Sequence, residues 1–162
     1  PPPTGAQSDR VALLECNIDD MTGEALGYAM DRLLAEGALD VWFVPIQMKK
    51  NRPGVLLAVL CAEERAAHLR AVLLRETSTL GVRWQIVERQ VAERRFERVE
   101  TPYGSVRVKI KVLDGQAVSA KPEYDDCAGL ARRLGVPLAD VLEAATAAAV
   151  PLVGTARRTT GR

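Results

Sequence analysis

The sequence predicts an α+β protein built on an antiparallel sheet that carries helices on one face. Two observations lead to this prediction. Aliphatic, β-branched segments alternate with segments whose apolar residues recur every three or four positions, and a Pro-Gly pair separates two of the strand-like segments. The chain has 162 residues with a hydrophobic content of 48%. It can therefore bury a core without disulfides or a structural metal.

Six elements are predicted within residues 11–94, in the order β-α-β-β-α-β. Thr22 can cap the first helix, and Gly37 ends it. The predicted elements are a strand at residues 11–18, the helix that follows Thr22, strands at 41–48 and 55–61, a helix at 62–75 and a strand at 82–91. This order is that of a ferredoxin-like split βαβ sandwich, in which two helices cover one face of the sheet.

Residues 95–152 predict a smaller appended unit of a hairpin and two helices. Its predicted elements are strands at 96–101 and 106–112 around a Pro-Tyr-Gly-Ser turn, a short strand near Val118, and helices at 124–134 and 138–149. At the ends of the chain, the Pro-rich residues 1–10 are expected to be a linker remnant. Residues 153–162 are expected to be a disordered tail.

Composition excludes several classes of protein. Basic and acidic residues leave a formal net charge of +1, which argues against general nucleic-acid binding. No apolar run is long enough to span a membrane, so a cytoplasmic location is expected. Cys16, Cys61 and Cys127 have no paired spacing and are read as reduced, buried thiols. His68 is the only histidine, which argues against a site built on imidazole ligands.

Asp19 and Asp20 form the first polar motif, at the end of the first strand and just before a helix. Two adjacent carboxylates offer the oxygen ligands that Mg²⁺ or Mn²⁺ prefers. Equally, one aspartate could cap the helix while the other is solvated. The motif alone leaves both interpretations open.

Lys49, Lys50, Asn51 and Arg52 form the second motif, in the turn between two apolar strands. Its three cations could donate to the oxygens of a nucleoside triphosphate. The alternative is a hairpin tip whose charges keep the edge of the sheet soluble. Both interpretations fit the sequence.

Glu76, Thr77 and Ser78 form the third motif, between the second helix and the last strand of the sandwich. A polar helix end explains most such segments, but the hydroxyls of residues 77–79 exceed what a turn requires. The fourth motif, residues 121–126, combines Lys121 with the carboxylates of Glu123, Asp125 and Asp126 before a helix. It is compatible with a metal site or with plain helix capping.

The predicted strand order has a consequence for these motifs. It places the Asp19 motif and the Lys49 motif at opposite ends of the sheet, and it places residues 76–78 beside residues 49–52. If all four motifs serve one site, that site must form between subunits or be closed by the appended unit. A homo-oligomer is therefore expected.

Four long strings of this sequence closely resemble the C-terminal half of the nickel-insertion proteins of lactate racemase maturation. The resemblance covers about residues 11–149, and the strings occur in the same order. They are residues 17–24 (NIDDMTGE), 45–54 (PIQMKKNRPG), 75–81 (RETSTLG) and 121–127 (KPEYDDC).

The resemblance implies a CTP-dependent cyclometallase, a nickel chelatase of the lyase class. Such an enzyme inserts nickel into pyridinium-3,5-bisthiocarboxylic acid mononucleotide to form the nickel-pincer cofactor. It hydrolyses CTP to CMP and pyrophosphate with the help of Mg²⁺ or Mn²⁺. The resemblance further implies that the N-terminal half of the full-length protein is a partner and that the assembly is a homo-oligomer, a trimer or a hexamer.

The resemblance also suggests roles for the residues of the four motifs, although catalytic residues stay unassigned. Those expected to bind the nucleotide are Lys49, Lys50, Asn51, Arg52, Glu76, Thr77, Ser78 and Lys121. Those expected to bind the metal are Asp19, Asp20, Glu123 and Asp125. An alternative function is a non-catalytic module for nucleotide binding and oligomerisation, and a third is a pure assembly domain.

Overall fold

A computed structural model describes residues 6–154 of the chain. It divides into two compact units, residues 8–89 and a second unit that contains residues 90–154. The division falls a few residues before the predicted one at residue 94. Most of the predicted linker and tail, residues 1–5 and 155–162, lies outside the described residues. Within residues 6–154, no helix is long and apolar enough to cross a membrane.

The first unit confirms the predicted β-α-β-β-α-β order. Its elements are β1 (Ala6–Ile18), α1 (Gly23–Ala35), β2 (Asp40–Met48), β3 (Arg52–Ala62), α2 (Ala66–Glu76) and the first part of β4 (Arg83–Thr101). β1 begins at Ala6, earlier than predicted, so part of the expected linker is strand. As predicted, Thr22 caps α1, and its side chain accepts a hydrogen bond from the amide of Ala25 at 3.3 Å.

Hydrogen bonds order the strands of the first unit as β2-β3-β1-β4, the ferredoxin-like arrangement. β3 is antiparallel to both β1 and β2, with Ile18 opposite Val55 and Met48 opposite Arg52. Because both are antiparallel to the same strand, β1 and β2 run in one direction and end at the same end of the sheet. The β2–β3 turn therefore lies at the end where β1 stops.

The core of the first unit lies between the sheet and its two helices. Alternate residues of β1 point into it, among them Leu14, Cys16 and Ile18. Leu33 on α1 and Leu69 on α2 meet them from the helix side, each fully buried. These contacts fix where the ends of the strands present their polar residues.

The second unit is a three-stranded antiparallel sheet packed with two helices, as predicted. The later part of β4 pairs with β5 (Gly104–Leu113), which pairs with β6 (Gln116–Pro122), and α3 (Tyr124–Leu134) and α4 (Leu138–Ala149) follow. The predicted strands at 82–91 and 96–101 are one strand, because residues 83–101 contain no glycine or proline to break it. Of the predicted tail, Val153 and Gly154 are described, and the Gly154 amide donates to the carbonyl of Ala117.

Candidate functional site

The end of the first unit's sheet brings together the first two polar motifs. A guanidinium nitrogen of Arg52, Nη1, lies 3.4 Å from a carboxylate oxygen of Asp19, Oδ2. The prediction that the Asp19 and Lys49 motifs lie at opposite ends of the sheet is therefore wrong. β2 runs parallel to β1, so the turn that follows β2 returns to the end of β1. Because the two motifs lie together, their positions do not require a site between subunits.

Gly54 permits this close approach of β3 to the end of β1. A Cβ atom at position 54 would lie 2.7 Å from the carbonyl oxygen of Ile18, a distance that real Cβ contacts do not reach. Glycine is thus required where Arg52 is brought alongside Asp19. Asp19 keeps 19% of its side-chain surface exposed, and Arg52 keeps 56%. The carboxylate therefore lies at an open rim and not in the core.

Ser78 joins the third motif to the same end of the sheet, where residues 76–78 were predicted to lie. Its hydroxyl donates to the carboxylate of Asp20, and its amide approaches the sulfur of Met21 at 3.3 Å. Glu76 and Thr77 have other partners. Glu76 lies 3.8 Å from Arg32 on α1, and the Thr77 hydroxyl donates to the carbonyl of Leu73 at the end of α2. Of the three residues, only Ser78 faces the aspartates.

Arg83, which was not predicted as a site residue, completes this edge. It donates to the carboxylate of Glu15 at 3.0 Å and to the side-chain oxygen of Asn17 at 2.9 Å. A cavity of about 410 Å³ lies here, lined by Asn17, Asp19, Asp20, Ser78, Thr79, Leu80, Gly81 and Arg83. The position of Arg83, two residues after the RETSTLG string, is the one sequence signal that could have identified it.

The basic turn between β2 and β3 has an unusual backbone. Lys50 and Asn51 have φ values of 61° and 57°, in the left-handed region that residues other than glycine seldom adopt. Each such residue costs on the order of 1 kcal/mol. The side chains of Lys49 and Lys50 are exposed. The turn thus holds two cations in a defined geometry beside the Asp19–Arg52 pair.

Cys16 lies behind the cavity and is fully buried. Burial raises the pKa of its thiol, an effect that a hydrogen bond to Thr79 and the charge of Arg83 only partly offset. A protonated thiol is a poor nucleophile. Cys16 therefore serves packing, as do Cys61 and Cys127, which are also free and buried as predicted.

The fourth motif lies in the second unit. Lys121 is exposed on β6, opposite Lys109 of β5, and Glu123 lies 3.6 Å from Lys109. Asp126 belongs to the fourth motif but was not among the expected metal ligands. It accepts two hydrogen bonds from the Arg107 guanidinium at 2.9 and 2.8 Å and one from the Arg107 amide at 2.9 Å. These bonds hold the pKa of Asp126 at about 2. Asp125 lies at the wall of a separate cleft.

The described residues of either unit form no complete metal cage. Among residues 6–154, no group of three or more histidine, cysteine or acidic side chains converges closely enough to hold an ion. Asp19 and Asp20 supply hard oxygen donors, which fit Mg²⁺ or Mn²⁺ when phosphate oxygens and water complete the coordination. Mg²⁺ sites in nucleotide-binding proteins commonly have this composition. The residues at this edge therefore fit a metal that arrives with a phosphorylated ligand.

These features define a class of α+β domain, a ferredoxin-like unit with carboxylates, a serine hydroxyl and cations at one end of its sheet. Within that class, the chain belongs to the nickel insertion protein family, whose model matches residues 2–142.

Sequence relatives support this membership. A putative nickel insertion protein of Pelobacter propionicus is 49% identical over 140 residues, 86% of this chain and 36% of the relative. The pyridinium-3,5-bisthiocarboxylic acid mononucleotide nickel insertion protein of Acetivibrio thermocellus is 46% identical over 136 residues, 84% of this chain and 33% of the relative. The chain thus spans about a third of the length of the curated relatives it matches.

Two solved structures share the fold. The first is the C-terminal domain of a cyclometallase involved in the synthesis of the NPN cofactor of lactate racemase, in its apo form. It is 44% identical, with a TM-score of 0.84, and the match covers 89% of this chain and 99% of that one. The second, a protein of Methanopyrus kandleri, is 31% identical with a TM-score of 0.61, and the match covers 89% of this chain and 91% of that one.

Proposed function

We propose that this chain is the CTP- and divalent-metal-binding part of a nickel-inserting cyclometallase of the lyase class. Its substrate would be pyridinium-3,5-bisthiocarboxylic acid mononucleotide, and CTP would be hydrolysed to CMP and pyrophosphate. The Acetivibrio thermocellus relative is named for insertion of nickel into this mononucleotide. The solved cyclometallase domain aligns over nearly its whole length with this chain. Nickel is thus the inserted metal, and Mg²⁺ or Mn²⁺ would accompany CTP.

The observation that supports a nucleotide site is the convergence of three motifs at one end of the first unit's sheet. Asp19 contacts Arg52, Asp20 contacts Ser78, and Lys49 and Lys50 occupy the turn between β2 and β3. Carboxylates for a hard metal and cations for phosphates are what a metal–triphosphate complex requires. The fold brings these strand ends together whatever their residues, so the support comes from the kind of side chains present there.

The proposed roles follow from the charge of each group. In this hydrolysis a water oxygen would form a bond to the α-phosphorus and lose its proton to solvent, while the bond from the α-phosphorus to the oxygen that bridges the α- and β-phosphates breaks. Negative charge then develops on the departing pyrophosphate. Lys49, Lys50 and Arg52 would donate to that group, and Ser78 would orient Asp20. Asp19 and Asp20 would hold the divalent ion. When bound, Mg²⁺ or Mn²⁺ would neutralise triphosphate charge and polarise phosphoryl oxygens.

Replacing both turn lysines tests this proposal. We expect Lys49→Ala with Lys50→Ala to weaken CTP binding in the presence of Mn²⁺ at least about a hundredfold, because each hydrogen bond to a charged group contributes about 1.5–3 kcal/mol. Isothermal titration calorimetry measures the affinity. Lys111→Ala, which removes an exposed lysine from β5, is the control and should leave CTP binding unchanged. Unchanged affinity in the double variant would reject the donor role.

A non-catalytic nucleotide-binding module is the second candidate function. It is favoured by the position of the only histidine, because His68 is hydrogen-bonded to Glu36 at 2.9 Å between α1 and α2 and so is engaged away from the cavity. Measured release of pyrophosphate from CTP by the chain would decide for the enzyme. Binding of CTP without any hydrolysis would decide for the module.

The same proposal includes three further expectations. The N-terminal half of the full-length protein is a partner, the location is cytoplasmic, and the assembly is a homo-oligomer, a trimer or a hexamer. The position of the fourth motif in a different unit from the other three is what still supports assembly. Light scattering of the chain with CTP and Mn²⁺ tests it. A monomer that binds CTP at full affinity would contradict an oligomeric site.

A further inference from the structure

We propose that the second unit contains a separate site for a phosphate monoester, formed by Arg98, Ser105, Arg107 and Arg133 beside Gly129. In its choice of ligand this inference rests on the proposed function, because the substrate named there is a mononucleotide. The site itself rests on a cleft of about 590 Å³ between β4, β5 and α3 that contains all five residues. None of the residues belongs to the four motifs considered so far.

Three arginines line the cleft, and two of them are paired across strands. Arg98 and Arg107 are directly opposite each other on β4 and β5. Two like charges in this position destabilise a sheet. Asp126 relieves the repulsion for Arg107, whose guanidinium it holds with two hydrogen bonds. Arg98 forms no ion pair or hydrogen bond with any of residues 6–154. A structural role would call for a direct partner, and Arg98 has only the charge of Asp126 at longer range.

Arg133 supplies the third guanidinium. Nη2 of this side chain lies 3.8 Å from the position that a Cβ atom on Gly104 would take, next to Ser105 at the start of β5. Like Arg98, it has no ion-pair partner in the described part of the chain. Asp125 and Asp126 also border the cleft, so three guanidinium groups face two carboxylates and one positive charge is in excess. Asp126 is committed to Arg107.

A glycine, Gly129, lies in the helical wall of the cleft. It lies in the middle of α3, where glycine costs about 1 kcal/mol relative to alanine. Packing does not explain it, since a Cβ atom at this position would meet no atom within 4 Å. It does, however, form part of the cleft wall. A bare helix surface at this point leaves room for a ligand to approach the backbone.

The chemistry of the lining selects the ligand class. Planar guanidinium groups match the oxygens of a phosphate, and the Ser105 hydroxyl adds a neutral donor. The cleft is much larger than a phosphate ion and falls in the range of small-molecule sites. It can therefore accept the nucleoside part of a mononucleotide as well. The asymmetry of three cations over two anions suits a terminal phosphate better than a neutral sugar.

Binding of nicotinic acid mononucleotide, a pyridinium mononucleotide, tests the site by calorimetry. We expect Arg98→Gln with Arg133→Gln to weaken this binding at least about tenfold, and inorganic phosphate to compete for the same site. Arg132→Gln, an exposed neighbour on the same helix outside the cleft, should change nothing. Equal affinity of the double variant and the original chain would overturn the proposal, as would an equal loss in Arg132→Gln.

Gly129→Ala keeps the test independent of folding. It should raise the melting temperature, because alanine favours the helix and meets no obstacle, yet it should weaken mononucleotide binding severalfold. Stabilisation with unchanged binding would contradict the site.

Binding of CTP with Mn²⁺ separates this inference from the proposed function. The Arg98/Arg133 double variant should bind CTP as the original chain does. Loss of CTP binding without loss of mononucleotide binding would assign the cleft to CTP and overturn the inference. Failure of the original chain to bind CTP at all would instead reject the proposed function while leaving this cleft testable.

Discussion

Two arginine–aspartate pairs, one in each unit, differ in ways that separate a carboxylate open to a ligand from one held in a structural pair. Arg52 and Asp19 share a single contact of 3.4 Å, and the arginine is more than half exposed. Arg107 and Asp126 share two hydrogen bonds below 3 Å, and the Arg107 amide adds a third. A single exposed contact contributes little to stability, and a ligand can readily replace it. A carboxylate held by two guanidinium hydrogen bonds and one backbone amide is not readily released. Asp19 is therefore available to a metal, and Asp126 is not.

The largest expected effect tests the availability of Asp19 and its neighbour. Asp19→Asn with Asp20→Asn should lower CTP affinity in the presence of Mn²⁺ about a hundredfold, because amide oxygens are much weaker ligands for a hard dication. Binding of CTP without metal should change little, and calorimetry with and without Mn²⁺ measures both. Asp31→Asn, an exposed site on α1, is the control. A double variant that keeps its Mn²⁺ dependence would remove both aspartates from the metal site.

The next effect concerns the structural pair. Asp126→Asn should lower the free energy of unfolding by about 1 kcal/mol, because Arg107 loses the negative charge that it binds. The effect is small because solvent screens the charges of this partly exposed pair. Urea denaturation gives the value. The adjacent Asp125→Asn, which breaks no pair, should stay within about 0.5 kcal/mol of the original chain. If both variants are equally stable, the Arg107–Asp126 pair does not stabilise the second unit.

The smallest effect is the response of the same pair to acid. The pKa of Asp126 is lowered from its ordinary value of 3.8 to about 2 in the folded chain. Protonation therefore favours the unfolded state, so the stabilisation is complete above pH 4 and is lost as the pH falls toward 2. Thermal melts of the original chain and Asp126→Asn should converge over this interval. Parallel curves would mean that Asp126 is not the group that titrates.

Much of the fold could be predicted because it depends on local patterns. The period of apolar residues identified the helices and strands of both units, and the order of the elements gave the ferredoxin-like arrangement. The error lay in strand direction: the end of β1 and the β2–β3 turn were placed apart although β1 and β2 run the same way. β4 was divided in two because its many charged residues interrupt the apolar pattern while nothing in them breaks a strand.

The candidate site could be predicted only in part. The dense polar strings of the sequence contain Asp19, Asp20, Arg52 and Ser78. The structure brings these side chains together at one end of the sheet. Arg83 escaped selection because a single arginine in a strand has no local signature. Its partner Glu15 is far away in sequence, and only the pairing of β1 with β4 brings the two together.

Gly54 also has a consequence for anyone who redesigns this protein. The carbonyl of Ile18, which a methyl group at position 54 would displace, is the last backbone atom group before the two aspartates. Variation at Asp19, Asp20 and Arg52 changes charge while leaving the backbone as it is, but variation at position 54 moves the backbone itself. A library aimed at new metals or new nucleotides should therefore randomise the charged positions and keep the glycine constant.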